Sequence, residues 1–119
     1  MVKRLFLSVA AAGLMAAGPA LGHAKLRSSV PAAEARLAAA PTSLLLTFNE
    51  KVQLAVLSLT LDGKVIPVSV DRTAPAAANI TVALPALPAG TYRVQWSALS
   101  ADDGHVTRGG FSFTVAPAR

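Results

Sequence analysis

Apolar and polar residues alternate with a period of two through "GTYRVQWSAL" (residues 90–99), so that Tyr92, Val94 and Trp96 share one face and Arg93 and Gln95 the other. This is the signature of a half-buried β-strand. "GFSFTV" (110–115) repeats the pattern with Phe111, Phe113 and Val115 inward. "SLLLTF" (43–48) is a short, continuous apolar run and predicts a buried strand, and "NITVAL" (79–84) predicts another. "LAVLSLTLDGKVIPVSV" (54–70) predicts a hairpin, because Asp62-Gly63 supplies the positive dihedrals of a tight turn between alternating apolar positions. "KLRSSVP" (25–31) adds an edge strand, where Pro31 is tolerated. "PAAEARLAAAP" (31–41) admits two readings, a helix of about two turns closed by its prolines or a loop containing one turn; we favour the loop. "TAPAAAN" and "ALPALPAG" are loops. Turn signals recur every ~8–12 residues, the spacing of an all-β sandwich or barrel. Tyr92 follows "LPAG" at a strand start, the setting of the tyrosine corner of Greek-key sandwiches, in which the hydroxyl bonds back to nearby backbone.

The amino terminus breaks this pattern. Residues 1–4 carry Lys3 and Arg4, residues 5–17 are apolar, and Ala20-Leu21-Gly22 places small residues at alternate positions. Residues 1–22 are therefore expected to be a secretory signal peptide cleaved after Gly22. The apolar run is shorter than the ~20 residues of a bilayer span, so the exported protein is not expected to cross a membrane. There is no Cys at the cleavage point to carry a lipid. A bacterial periplasm is the expected compartment. Residues 23–119 are then one domain.

Removing that leader changes the charge. Of eleven Lys and Arg and six Asp and Glu in the chain, Lys3 and Arg4 are lost and no acid is, which leaves nine against six, or +3. The remaining cations are scattered, which argues against nucleic-acid binding. Both methionines, Met1 and Met15, are lost as well, and the chain contains no cysteine. Any metal site of the mature protein must be built from nitrogen and oxygen, which suits divalent ions rather than Cu(I).

The chain has two histidines, and both stand in chemically suggestive places. In "SADDGHVTRGG" (100–110), Asp103 and His105 are two residues apart and project to one side of an extended segment, with Gly104 between them. A lone Asp-x-His is weak evidence of a metal, since a loop histidine beside aspartates is usually only solvated. His23 strengthens it. If cleavage follows Gly22, His23 is the first residue, and its α-amine and imidazole Nδ1 can close a chelate ring. Unperturbed values of ~7.7–8.0 for the amine and ~6.5 for the imidazole let both deprotonate near neutrality. With His105 as a third nitrogen and Asp103 as an oxygen, the set is tetragonal and suits one Cu(II) ion. Cleavage after Ala20 is the alternative. It leaves Leu-Gly-His, which wraps Cu(II) by itself through the amine, backbone amides and imidazole.

Together, "HAKLRSSVPA", "LTFNEKV" (46–52), "GTYRVQWSALSADDGH" (90–105) and "GGFSFTV" resemble the CopC-like periplasmic copper-binding proteins of bacterial copper resistance. The resemblance spans essentially the whole chain after the leader. It implies an immunoglobulin-like β-sandwich of about seven strands, with Cu(II) held at one end by His23, Asp103 and His105. Glu50, in "FNEKV", matches an acid that lies near copper in the family, as a further ligand or a second-layer partner. Asp102-Asp103 doubles the single aspartate of many relatives, Val106 stands where many have proline, and the methionine-rich segment of some relatives is missing. The spacing to His105 favours Asp103 over Asp102 as the ligand.

The expected function is sequestration of Cu(II) in the periplasm for copper homeostasis or resistance, without catalysis. Delivery to an inner-membrane copper transporter is implied by the resemblance alone. A monomer is expected. Two alternatives differ in class. One is a copper-dependent polysaccharide monooxygenase, which also chelates copper with an amino-terminal histidine but needs exposed aromatics and an open oxygen position. The other is a metal-free adhesive or chaperone-like sandwich.

Overall fold

The computed structural model of the chain describes residues 24–117. The runs with a period of two pair into seven strands: β1 (Leu26–Val30), β2 (Arg36–Leu37), β3 (Ser43–Leu61), β4 (Lys64–Ile66), β5 (Ala77–Ala83), β6 (Gly90–Ser100) and β7 (Val106–Val115). The order β1-β3-β6-β7-β2, with β4 and β5 also on β3, makes one sheet that curls over itself. The expected all-β sandwich is what forms.

β3 departs from expectation. "SLLLTF" and the first arm of the hairpin are one strand of 19 residues. Its first half pairs with β1 and β5 on its two sides, and its second half with β4 and β6. Between them, no residue of a neighbouring strand is in register with Asn49, Glu50 or Lys51. The polar triplet therefore marks a bend between layers, where the sequence suggests a break. A second irregularity follows at Ala55, which is inserted between Leu54, opposite Ala98, and Val56, opposite Ser97. One extra residue in a ladder inverts the faces. Val52 and Leu54 are buried before it and Leu57 and Leu59 after it, while Val56 is 47% exposed. The Arg72 Nε–H donates to the Ala55 carbonyl at 2.9 Å and holds the bulge.

Segment 31–41 takes the loop reading. Its turn is closed by the Ala35 N–H donating to the Ala32 carbonyl at 3.1 Å. The segment then adds the two-residue strand β2, parallel to the end of β7, which no periodicity announces. The Asp62-Gly63 turn forms as expected, with φ of +50° and +82° and Leu61 opposite Lys64.

The core is drawn from both halves of β3 and from β5, β6 and β7, with Phe48, Tyr92, Trp96, Phe111 and Phe113 as its aromatic members. Phe48 meets Trp96 edge-on at a centroid distance of 5.1 Å, and Tyr92 stacks on Phe113 at 5.2 Å. The Tyr92 hydroxyl donates to the Pro88 carbonyl, four residues upstream, as the tyrosine corner requires. Burial, aided by the Asp62 charge, raises the phenol above its ordinary pKa. Replacing Tyr92 by Phe leaves the stacking in place and the Pro88 carbonyl without its partner. The expected loss is about 1 kcal/mol of unfolding free energy in a denaturant titration; an unchanged midpoint would show that the corner does not stabilise the fold.

Candidate metal centre

The loop joining β6 to β7 carries both aspartates and His105. It is closed by the Ser100 N–H donating to the His105 carbonyl and the Gly104 N–H to the Ser100 carbonyl, each at 2.9 Å. Gly104, at φ +73°, takes the left-handed conformation this turn needs. The turn brings Asp103 and His105 into contact. Asp103 Oδ1 accepts the His105 backbone N–H at 3.0 Å, and Oδ2 lies 2.9 Å from the imidazole Nδ1. The His105 backbone N–H, then its side chain, holds the Asp103 carboxyl below its ordinary pKa, and the Ser100 side chain adds to this. Asp102 joins differently, its backbone N–H donating to Ser100 Oγ at 3.3 Å. The structure thus pairs His105 with Asp103, the partner that spacing favoured.

Glu50 lies in the β3 bend and reaches the same loop through a residue that the sequence reading did not single out. Ser100, only 3% exposed, donates from its hydroxyl to Glu50 Oε1 at 2.8 Å. Beside it, the Ala101 N–H donates to the Lys51 carbonyl at 3.0 Å. A serine at the end of an alternating strand carries no sequence signal of such a role.

The start of the described chain is tied to this bend as well. The Lys25 N–H donates to Asn49 Oδ1 at 2.7 Å, and the Asn49 N–H returns a bond to the Lys25 carbonyl at 3.0 Å. Ala24 is buried. Lys25, Asn49-Glu50 and the 101–105 loop therefore share one end of the sandwich. His23 and residues 1–22, the expected signal peptide, lie outside the described residues. Among the described residues, no three His, Cys, Asp or Glu side chains are grouped closely enough to hold a metal. The donors that are described are an imidazole and a carboxylate, with a second carboxylate one serine away. That chemistry fits a divalent ion.

Replacing Ser100 by Ala removes the donor to Glu50 and the acceptor for Asp102. A loss of about 1–2 kcal/mol is expected, with faster hydrogen exchange at Asp102 and unchanged exchange in the β4 hairpin; uniform exchange rates would contradict the link. In the metal-free protein, the lowered Asp103 pKa stabilises the loop fully above the ordinary carboxyl value of 3.8 and is lost as pH falls below it. Carbon-13 NMR titration of Asp103 should give a midpoint below 3.8, and Asp103→Asn should flatten the fall in stability over that acid range.

Comparison with known proteins places these features in a family. Residues 26–116 match the model of the CopC domain. The chain is 37% identical over 108 residues to copper resistance protein C of Escherichia coli, an alignment covering 81% of this chain and 83% of that protein. It is 35% identical over 101 residues to protein YobA of Escherichia coli K12, covering 78% of each. The crystal structure of CopC from Methylosinus trichosporium OB3b superposes with a TM-score of 0.67 at 30% identity, over 82% of this chain and 97% of that one. PcoC, a methionine-rich copper resistance protein from Escherichia coli, gives 0.64 at 34% identity, over 79% and 99%.

Proposed function

Because the chain belongs to the CopC domain family, we propose that it is a periplasmic protein that binds one Cu(II) ion, sequesters it for copper homeostasis or resistance, and passes it to an inner-membrane copper transporter. Its relatives include copper resistance proteins, and the observation that carries the reading is geometric. The beginning of the described chain is bound to the residue next to Glu50, at the end of the sandwich where Asp103 meets His105.

In this reading residues 1–22 are removed on export, and His23 supplies its amine and imidazole. His105 and Asp103 complete the set. The contact of Asp103 Oδ2 with Nδ1 keeps these two groups together at the loop. Glu50, positioned through Ser100, is a further ligand or steadies the loop. Copper is the cargo here. A terminal ligand can leave by fraying of the chain end while the sandwich stays folded, which suits a carrier. The methionine-rich relative suggests a thioether site for Cu(I), but both methionines of this chain lie in the leader. The choice of Cu(II) follows from the nitrogen and oxygen donors. Tyr92 and Trp96, the chain's one Tyr and one Trp, are 0% and 6% exposed, which disfavours a polysaccharide-binding enzyme.

Electron paramagnetic resonance of the exported protein loaded with Cu(II) should show a tetragonal signal with three coordinated nitrogens, and intact mass should place His23 first. His105→Ala should remove one nitrogen and weaken binding by roughly tenfold or more. Affinity should also fall on acidification, because protons compete with the metal for its nitrogen ligands. A mature chain beginning at Leu21, or the same spectrum in His105→Ala, would overturn the ligand set.

A further inference from the structure

Beyond the metal centre, a groove of about 790 Å³ opens between β1 and β7. It is lined by residues 24–29, 32–33, 107–111 and Trp96. Two features of its walls are left incomplete by the fold. The first is backbone. Along β7 the outward backbone groups are those of even-numbered residues. The Ser112 carbonyl accepts the Glu34 N–H at 2.6 Å, and the Thr114 N–H donates to the Ala35 carbonyl at 2.8 Å. Arg108 and Gly110 share that side, but β2 stops short of them, and among the described residues no strand pairs there. β1 likewise pairs with β3 alone. Unpaired strand edges of this kind are templates for an added strand.

The second feature is polar and buried. Trp96 is 6% exposed, and among the described residues its Nε1–H has no hydrogen-bond partner; Thr107 Oγ1 is also buried without one there. The indole lies against Gly109 on the groove floor. A Cβ there would stand 2.6 Å from Trp96 Cζ2 and 3.1 Å from Nε1. A buried donor without a partner is rare in a native fold. The rim sets the charge of a fitting occupant: Lys25, Arg27 and Arg108 line the groove, and no Asp or Glu does.

We propose that this groove is a docking site for an extended, acidic segment of a partner protein, which adds as a strand to the free edge of β7. Its backbone pairs with Arg108 and Gly110, and its carboxylates meet Arg27, Arg108 and Lys25, beside the Trp96 indole. The site does not depend on copper.

The test uses the exported, copper-free protein, nitrogen-15 NMR and a short blocked peptide alternating Glu and Val. Saturable shifts are expected at the Trp96 indole N–H and at the amides of Arg108 and Gly110, with slowed hydrogen exchange at those two amides. The matching Lys-Val peptide, and the Glu-Val peptide N-methylated at alternate residues, should not bind. The double variant R27E/R108E changes two exposed side chains and should weaken binding by about tenfold or more, with its unfolding midpoint unchanged. Absence of shifts with the acidic peptide, equal binding of the Lys-Val or methylated peptide, or equal binding by the variant would overturn the proposal. So would the same shifts on raising protein concentration alone, since the occupant would then be a second copy of the chain.

Discussion

The candidate centre depends on one constraint: β3 changes partners in mid-course. From Ser43 to Thr47 it is held by β5, and from Val52 onward by β6. Asn49, Glu50 and Lys51, freed from any ladder at the bend, use their polar groups for other ties. Asn49 holds Lys25, Glu50 accepts from Ser100, and the Lys51 carbonyl receives the Ala101 N–H. Backbone groups that leave a sheet must find partners elsewhere, and here the partners are the start of the described chain and the β6–β7 loop. A straight β3 would leave these three segments unconnected.

Packing reinforces the bend from the other side. Phe48, the last apolar residue before it, is buried and meets Trp96 edge-on. Trp96 in turn lies over Gly109, across β6–β7. One aromatic contact therefore joins the bend in β3 to the floor of the groove. With no cysteine in the chain, this close packing has to maintain the relation between the layers unaided. The groove opens where the edges of β1 and β7 face one another without pairing. Thr107, on its wall, is two residues beyond His105, so a segment docked there would lie beside the proposed copper ligands.

Asp103 and His105 illustrate how a short motif acquires geometry. Two residues apart with glycine between, they are free to meet or to diverge in an isolated peptide. The loop closure between Ser100 and His105, and the hold of Ser100 on Asp102, narrow that freedom until the carboxylate accepts from His105. The charge state of Asp103 follows from these hydrogen bonds, because the side chain is exposed and no deep burial opposes ionisation.

What could be read directly from the residues was short-range. Period-two alternation in 90–99 and 110–115, the Asp62-Gly63 turn, the Tyr92 corner and the pairing of Asp103 with His105 all arise from dihedral preferences and side-chain direction within a few residues. Tertiary structure decided the rest. The continuity of β3 through a polar triplet, the inversion of its faces at Ala55, the two-residue β2 and the bond from Ser100 to Glu50, fifty positions apart in sequence, have no local signature. Each depends on which distant strand lies alongside, because a polar group leaving one ladder takes whichever partner the packed layers bring within reach, and that choice is made only when the whole sheet has curled.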